Sequence, residues 1–144
     1  MNGSYMLIIY LGRNINIPIG RLGYRLFRSG YYIYVGSAFN GLIQRVLRHY
    51  RVSDGLSKVS RWHIDYLLKE NTARICFGVG FINQDIECDL SRYLLDFGAS
   101  PIEGFGSTDC RCVSHLYHID RLSVLKTLKS IFKKFCIPGR CILV

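Results

Sequence analysis

The chain has 144 residues, of which 49% are hydrophobic and 20% are charged, and its formal net charge is +9. This composition excludes a disordered chain and suffices for a hydrophobic core, so we predict one domain over residues 1–144. No apolar run approaches the ~18 residues that a membrane-spanning helix needs. The N-terminus also lacks the basic and apolar segments of a secretory signal, and we therefore predict a cytoplasmic protein.

Positive charge is concentrated in the first half of the chain. Residues 21–61 contain eight arginines and lysines but only one acidic residue, Asp54. Such a block favours a polyanionic partner, namely DNA, RNA or an anionic membrane surface. For charge alone, a solvated basic surface without a partner is an equal alternative.

The six cysteines have two explanations. Without an export signal, reduced thiols are expected, and most of them are predicted to be small buried residues. Cys110, Cys112 and His115 nevertheless form part of a metal-ligand pattern. Because the sequence offers no evident second pair of ligands, a structural zinc ion is the less favoured alternative.

The first half of the chain predicts strands followed by a helix. Residues 4–11, 22–27 and 31–36 are rich in apolar, β-prone side chains and are predicted to be strands. Gly30 is expected to form a turn between two antiparallel neighbours. An apolar stripe at helical spacing predicts a helix over 41–50.

The second half predicts further helices and strands. Ser60 and Asp85 are candidate N-caps for helices over 61–70 and 86–97. The remaining predicted elements are two strands and a last helix, at 73–82, 114–119 and 121–135. The sum is an α+β fold, in which helices flank a small, mostly antiparallel sheet with an extra short strand and a C-terminal helix.

Aromatic and cationic side chains adjoin where the strand at 31–36 leads into the next helix. Strand alternation places Tyr34 on one face of the sheet, where a core role is the ordinary explanation. Arg45 and His49 are four residues apart and share one side of the helix. A guanidinium suits a phosphate and an imidazole suits proton transfer, whereas a surface arginine and a histidine at a helix end are the alternatives.

Three other polar residues have structural explanations of their own. Glu87 lies in the first turn of a predicted helix, where the helix dipole favours a carboxylate without any metal. His63, beside Trp62, is predicted to be a buried, hydrogen-bonded histidine. Asp109 lies in a glycine-rich loop and suits turn formation.

Two segments resemble the paired signature of the GIY-YIG nuclease superfamily. "GSYMLII" at 3–9 contains Gly3-Ser4-Tyr5 in place of the first element, and "YYIYVGSA" at 31–38 contains Tyr34-Val35-Gly36 in place of the second. Arg45, one helix later, matches the arginine that this superfamily carries.

Two more segments resemble the DUF123 branch of that superfamily, a group of archaeal proteins often fused to endonuclease III. They are "RWHIDYLL" at 61–68 and "GFGSTDCRCVSHL" at 104–116. Together the resemblances span residues 3–118 and imply a single GIY-YIG-like domain built on a three-stranded antiparallel sheet.

The resemblance also implies a reaction, which is hydrolysis of DNA phosphodiester bonds in repair or structure-directed cleavage. Glu87 is expected to hold one Mg²⁺ or Mn²⁺ ion, and Arg45 is expected to stabilise charge on the phosphate. Tyr34 or Tyr5 is expected to orient or deprotonate the attacking water, with a cation from Arg45 or His49 favouring the phenolate. The implied catalytic set is Tyr5, Tyr34, Arg45, His49 and Glu87.

Other positions remain open at this stage. The DUF123 motifs share a second group of residues, which would form another metal site, a loop-folding network or a different chemistry: His63, Asp109, Cys110, Cys112 and His115. The expected nucleic-acid contacts are Arg48, Arg51, Lys58 and Arg61. The alternative function is a non-catalytic nucleic-acid-binding module, accessory to a repair glycosylase, and RNA remains an alternative to DNA.

Overall fold

The computed structural model describes residues 1–144 and contains eight strands and four helices. The strands are β1 (Gly3–Leu11), β2 (Ile15–Pro18), β3 (Tyr24–Phe27), β4 (Gly30–Ala38), β5 (Ala73–Ile82), β6 (Ser100–Pro101), β7 (Leu116–Ile119) and β8 (Cys141–Leu143). The helices are α1 (Leu42–Ser53), α2 (His63–Leu68), α3 (Glu87–Asp96) and α4 (Val124–Phe135). None of these helices combines the length and apolarity that crossing a bilayer requires.

Six strands form one antiparallel sheet in the order β6-β7-β4-β1-β5-β8, while β2 and β3 pair separately as a hairpin. The mixed fold with a mostly antiparallel sheet and flanking helices is therefore confirmed. The prediction of a three-stranded sheet is wrong, because three short strands extend the central β4-β1-β5 trio. The predicted turn at Gly30 is also wrong, since Gly30 begins β4 and β3 pairs with β2.

The sheet is the middle layer of the molecule because both of its faces are apolar. Tyr5, Leu7 and Ile9 on β1 face a core shared with α1, α2 and the hairpin. Met6 and Ile8 face a second core shared with α3 and α4. The alternation of strand side chains thus divides β1 between two cores. On β4 it likewise places Tyr32 and Tyr34 in the first core and Tyr31 against the second.

Side-chain hydrogen bonds fix the starts of α2 and α3, from within the helix for α2 and from β1 for α3. Asp65 Oδ2 accepts hydrogen bonds from the backbone N–H groups of Arg61 (2.8 Å) and Trp62 (3.1 Å). Ser4 Oγ, on β1, accepts one from the backbone N–H of Ile86 at 2.9 Å. These contacts replace the predicted N-caps, and the second one ties Glu87 to the start of β1.

The cysteines are distributed differently from the prediction. Cys136 and Cys141 form a disulfide, and the other four are free. None of the free cysteines is fully buried, and Cys76 and Cys88 are exposed. The predictions that all thiols are reduced and that most are buried are therefore wrong.

A close approach between β1 and β4 gives a stability prediction. Tyr5 is the cross-strand partner of Gly36, and a Cβ at Gly36 would overlap the Tyr5 ring. We expect Gly36→Ala to lower the free energy of unfolding by about 1–3 kcal/mol, because the ring must move in a packed core. Denaturant-induced unfolding measures this change.

The matched control is Gly78→Ala on β5. A Cβ there would lie 3.3 Å from the methyl ends of Leu7 and Val46, which need to shift only slightly. Equal stability of the two variants would show that the Tyr5–Gly36 contact is not a tight constraint.

Candidate active site

A cleft of about 510 Å³ opens where β1 begins and β4 ends. Four residues of the predicted catalytic set line it, and each comes from a different element: Tyr5 from β1, Tyr34 from β4, Arg45 from α1 and Glu87 from α3. The sheet register and the packing of α1 and α3 therefore gather side chains that are distant in sequence.

Two tyrosine rings form the floor of the cleft. The centroids of Tyr5 and Tyr34 are 6.4 Å apart, and both rings are almost fully buried. Burial raises the pKa of each hydroxyl, and the positive charge of Arg45 offsets this only in part. Both phenols are therefore protonated at neutral pH.

His49 lies behind the cleft, in contact with Tyr5. Its Nε2 is 2.7 Å from the Tyr5 hydroxyl, its ring is fully buried and its Nδ1 has no hydrogen-bond partner. Burial lowers the pKa of His49 to about 4, and the charges of Arg48 and Arg45 act in the same direction against that of Asp65. At neutral pH the imidazole is therefore an uncharged partner of Tyr5 and not a cation.

Ser37 connects the guanidinium to the carboxylate. Arg45 Nη1 donates to the backbone oxygen of Ser37 at 3.1 Å, and Ser37 Oγ donates to Glu87 Oε2 at 2.6 Å. The Arg45 guanidinium also lies 4.6 Å from the centre of the Trp62 ring. These contacts hold Arg45 and Glu87 in one orientation before any ligand binds.

Glu87 is an ionised carboxylate on the cleft wall. Although burial opposes its ionisation, contacts from His115 and Ser37 and the charge of Arg45 hold its pKa below the usual value. Each carboxylate oxygen of Glu87 contacts one protein group, so each keeps a further lone pair for a metal ion. A half-buried carboxylate beside an open cleft fits one Mg²⁺ or Mn²⁺ ion, with water and a phosphate as the other ligands.

The four expected nucleic-acid contacts differ in their surroundings. Arg48 forms a two-pronged ion pair with the buried carboxylate of Asp65, with both N–O distances at 3.0 Å, and it stacks 4.4 Å from the Trp62 ring centre. Arg48 thus has a structural partner. Arg51, Lys58 and Arg61 are exposed, and Arg61 lines the cleft.

The residues of the possible second site divide into two groups. His63 and Asp109 line the cleft, as do Cys110 and His115 of the other group. His63 Nδ1 accepts the backbone N–H of Gly106 at 2.9 Å, and burial lowers the pKa of this histidine, so its Nε2 carries the proton. His63 therefore offers the cleft a hydrogen-bond donor and not a metal ligand.

The second group gathers around a cysteine that sequence reasoning missed. Cys110, Cys112 and His115 meet Cys88 from the first turn of α3, and the four potential ligand atoms all lie within 4.8 Å of one another. Burial and the two neighbouring thiols raise the pKa of Cys112 to about 12. The only sequence signal for Cys88 was its position next to Glu87.

Three more cleft residues were missed by sequence reasoning. Ser37 directly follows the Tyr34-Val35-Gly36 element, and Trp62 directly precedes His63. For both residues, the position next to a motif residue was the sequence signal for a place in the site. Phe39 lines the cleft and is 83% exposed, and nothing in the sequence marked it.

A family model described as "Domain of unknown function DUF123" matches residues 4–137. The chain belongs to the DUF123 family. No curated protein and no solved structure matches it. The part matched as a DUF123 domain contains every residue of the cleft and of the cysteine group, so both are features of the domain itself.

Burial of a neutral His49 predicts how the stability of this DUF123 domain depends on pH. The pKa is about 4 in the folded chain and near 6.5 when unfolded, so the unfolded chain binds the extra proton between these values. The contribution of neutral His49 to the free energy of unfolding is fully present above pH 6.5. It is lost as the pH drops towards 4, which lowers the free energy of unfolding by about 3 kcal/mol. Urea unfolding at intervals from pH 7 to 4.5 measures this slope.

We expect His49→Gln to flatten that slope, because the amide does not titrate. His63→Gln is the matched control, since His63 is only partly buried and should contribute less. An unchanged slope in the His49 variant would contradict the assignment of a buried neutral imidazole.

Proposed function

We propose that this DUF123 protein is a GIY-YIG endonuclease that hydrolyses DNA phosphodiester bonds, with irregular or damaged DNA as its target. The supporting observation is the convergence of Tyr5, Tyr34, Arg45 and Glu87 on one cleft. The net charge of +9 suits a polyanionic substrate. Phosphodiester hydrolysis needs an oriented water and fixed positive charge at the phosphate, and these side chains supply both.

Arg45 is the group that stabilises the charge of the transition state. Its guanidinium is already oriented by the Ser37 carbonyl and the Trp62 ring. Because little reorganisation is needed when charge builds on the phosphoryl oxygens, its stabilisation acts fully on the reaction. The exposed guanidinium of Arg61 and the Nε2–H of His63 provide further donors to the same phosphate.

The tyrosines act as hydrogen-bonding groups and not as phenolates. Protonated Tyr5 and Tyr34 orient the attacking water by accepting and donating hydrogen bonds. Tyr5 donates its own proton in a hydrogen bond to Nε2 of His49, in the tautomer with the N–H at Nδ1. This leaves the lone pairs of the Tyr5 oxygen to accept from the attacking water.

Glu87 is the residue that would hold the divalent ion. When bound, Mg²⁺ or Mn²⁺ would neutralise part of the phosphate charge and polarise the P–O bond. Glu87 itself keeps its ionised state and its orientation through Ser37 and His115. These two contacts leave the carboxylate in place when the DNA leaves.

The second candidate is a nucleic-acid-binding module without catalysis, acting beside a repair glycosylase. The observation that favours it is Phe39, an exposed aromatic ring at the cleft. Such a ring stacks on an unpaired base in any sequence context. Both candidates bind irregular DNA, or RNA in its place, and only cleavage separates them.

The direct test is incubation of the protein with nicked, flapped, branched and abasic DNA, with Mg²⁺, with Mn²⁺ and with neither. The proposal predicts cleavage of at least one substrate that requires the ion. Binding to these substrates without cleavage under any of the conditions would favour the second candidate.

Glu87→Gln tests the carboxylate. We expect ion-dependent cleavage to be lost, because an amide binds a hard cation poorly, while DNA binding stays equal or tightens as a negative charge leaves the cleft. Asp89→Asn is the matched control, since Asp89 lies in the same first helical turn outside the cleft. Cleavage by the Glu87 variant at the unmodified rate would remove Glu87 from the metal site.

Arg45→Lys tests the guanidinium while preserving its charge. We expect the cleavage step to slow by about 10²–10³-fold, because lysine loses the planar pair of donors that the Ser37–Trp62 contacts orient. Arg74→Lys, at an exposed position outside the cleft, should cleave normally. Single-turnover cleavage rates measure both, and equal rates would exclude Arg45 from the reaction.

A further inference from the structure

The group formed by Cys88, Cys110, Cys112 and His115 has the composition of a soft-metal site. Three sulfurs and one imidazole come from two parts of the fold, the first turn of α3 and the loop before β7. Thiolates and imidazoles in a four-ligand set favour Zn²⁺ over Mg²⁺ or Ca²⁺, which take oxygen ligands.

The spacing of these atoms is close to a tetrahedral set. With Zn–S at about 2.3 Å and Zn–N at about 2.1 Å, a tetrahedral ion separates two sulfurs by about 3.8 Å and a sulfur from a nitrogen by about 3.6 Å. Cys110 Sγ lies 3.4 Å from His115 Nε2, and all ligand atoms fall within 4.8 Å of one another. The largest of these separations exceeds the tetrahedral value by about an ångström.

His115 has the contacts of a zinc-binding histidine on both ring nitrogens. Its Nε2 faces Cys110, while its Nδ1 lies 2.8 Å from Glu87 Oε1. The two atoms are at ion-pair distance, although Nδ1 has no aligned hydrogen-bond partner. A carboxylate on the far nitrogen is the usual outer partner of a histidine that binds zinc, and it sets the tautomer with a free lone pair at Nε2.

We propose that Cys88, Cys110, Cys112 and His115 bind one Zn²⁺ ion in a closed structural site. Binding displaces up to three protons from the thiols, and four protein ligands leave no position for water or substrate. The ion joins the start of α3 to the loop before β7, and both of these segments line the cleft. Because the ligand His115 also contacts Glu87, the zinc ion supports the orientation of the Glu87 carboxylate in the cleft.

The test uses the full chain, prepared metal-free under anaerobic reducing conditions and titrated first with Co²⁺ and then with Zn²⁺. We expect one equivalent of Co²⁺ per chain, thiolate-to-cobalt charge-transfer bands and the intense visible bands of a tetrahedral ion. Zn²⁺ should displace the Co²⁺ stoichiometrically. If no such bands appear, or if binding is not saturable at one equivalent, the proposal is wrong.

Substitutions at Cys112 identify the ligands, because this residue does not line the cleft. Cys112→Ser should weaken Zn²⁺ binding by more than about a hundredfold, since losing only an outer partner already costs about 10–100-fold. Cys112→His restores a ligand, and it should bind one Co²⁺ with about two-thirds of the charge-transfer intensity. Far-ultraviolet circular dichroism checks that both variants are folded.

Cys76→Ser is the matched control, because Cys76 is a free cysteine outside the group. It should leave the stoichiometry and the spectrum unchanged. Spectra of the Cys112 variants that equal that of the unmodified chain would overturn the ligand assignment. None of these measurements uses DNA, so a failure of the zinc site and a failure of the nuclease proposal are separable.

Discussion

The ring of Tyr5 packs over Gly36 of the neighbouring strand, and the contacts inside the cleft follow from this close approach. Because Gly36 has no side chain, the Tyr5 hydroxyl passes β4 and reaches His49 on α1. The next residue, Ser37, then joins Arg45 to Glu87. The antiparallel register of β1 and β4 thus couples the core tyrosine to the polar wall of the cleft.

Burial decides which of these groups carry charge. Tyr5 and His49 lie where the low polarity of the core disfavours their ionised forms, so both stay neutral at neutral pH. Arg45 and Glu87 lie at the cleft surface, where hydrogen bonds favour the ionised carboxylate. The result is a neutral hydrogen-bonded pair, Tyr5 and His49, beneath the charged side chains of Arg45 and Glu87.

The start of α3 serves two sites. Ser4 holds the helix start, and the first two helical residues both line the cleft, while Cys88 also belongs to the cysteine group. His115 contacts both through its two nitrogens. One imidazole ring therefore lies between the cysteine group and the Glu87 carboxylate.

The sequence by itself determined the long central strands and the four helices, because apolar periodicity is local, and its resemblance to known motifs pointed to Tyr34, Arg45 and Glu87, which line one cleft. Only the tertiary structure decided the short edge strands, whose pairing depends on neighbours, and the partner of Arg48, which is the buried Asp65. It also decided the neutral state of His49 and the meeting of Cys88 with Cys110. Burial and long-range proximity set these features, and neither quantity is encoded in the spacing of residues along a chain.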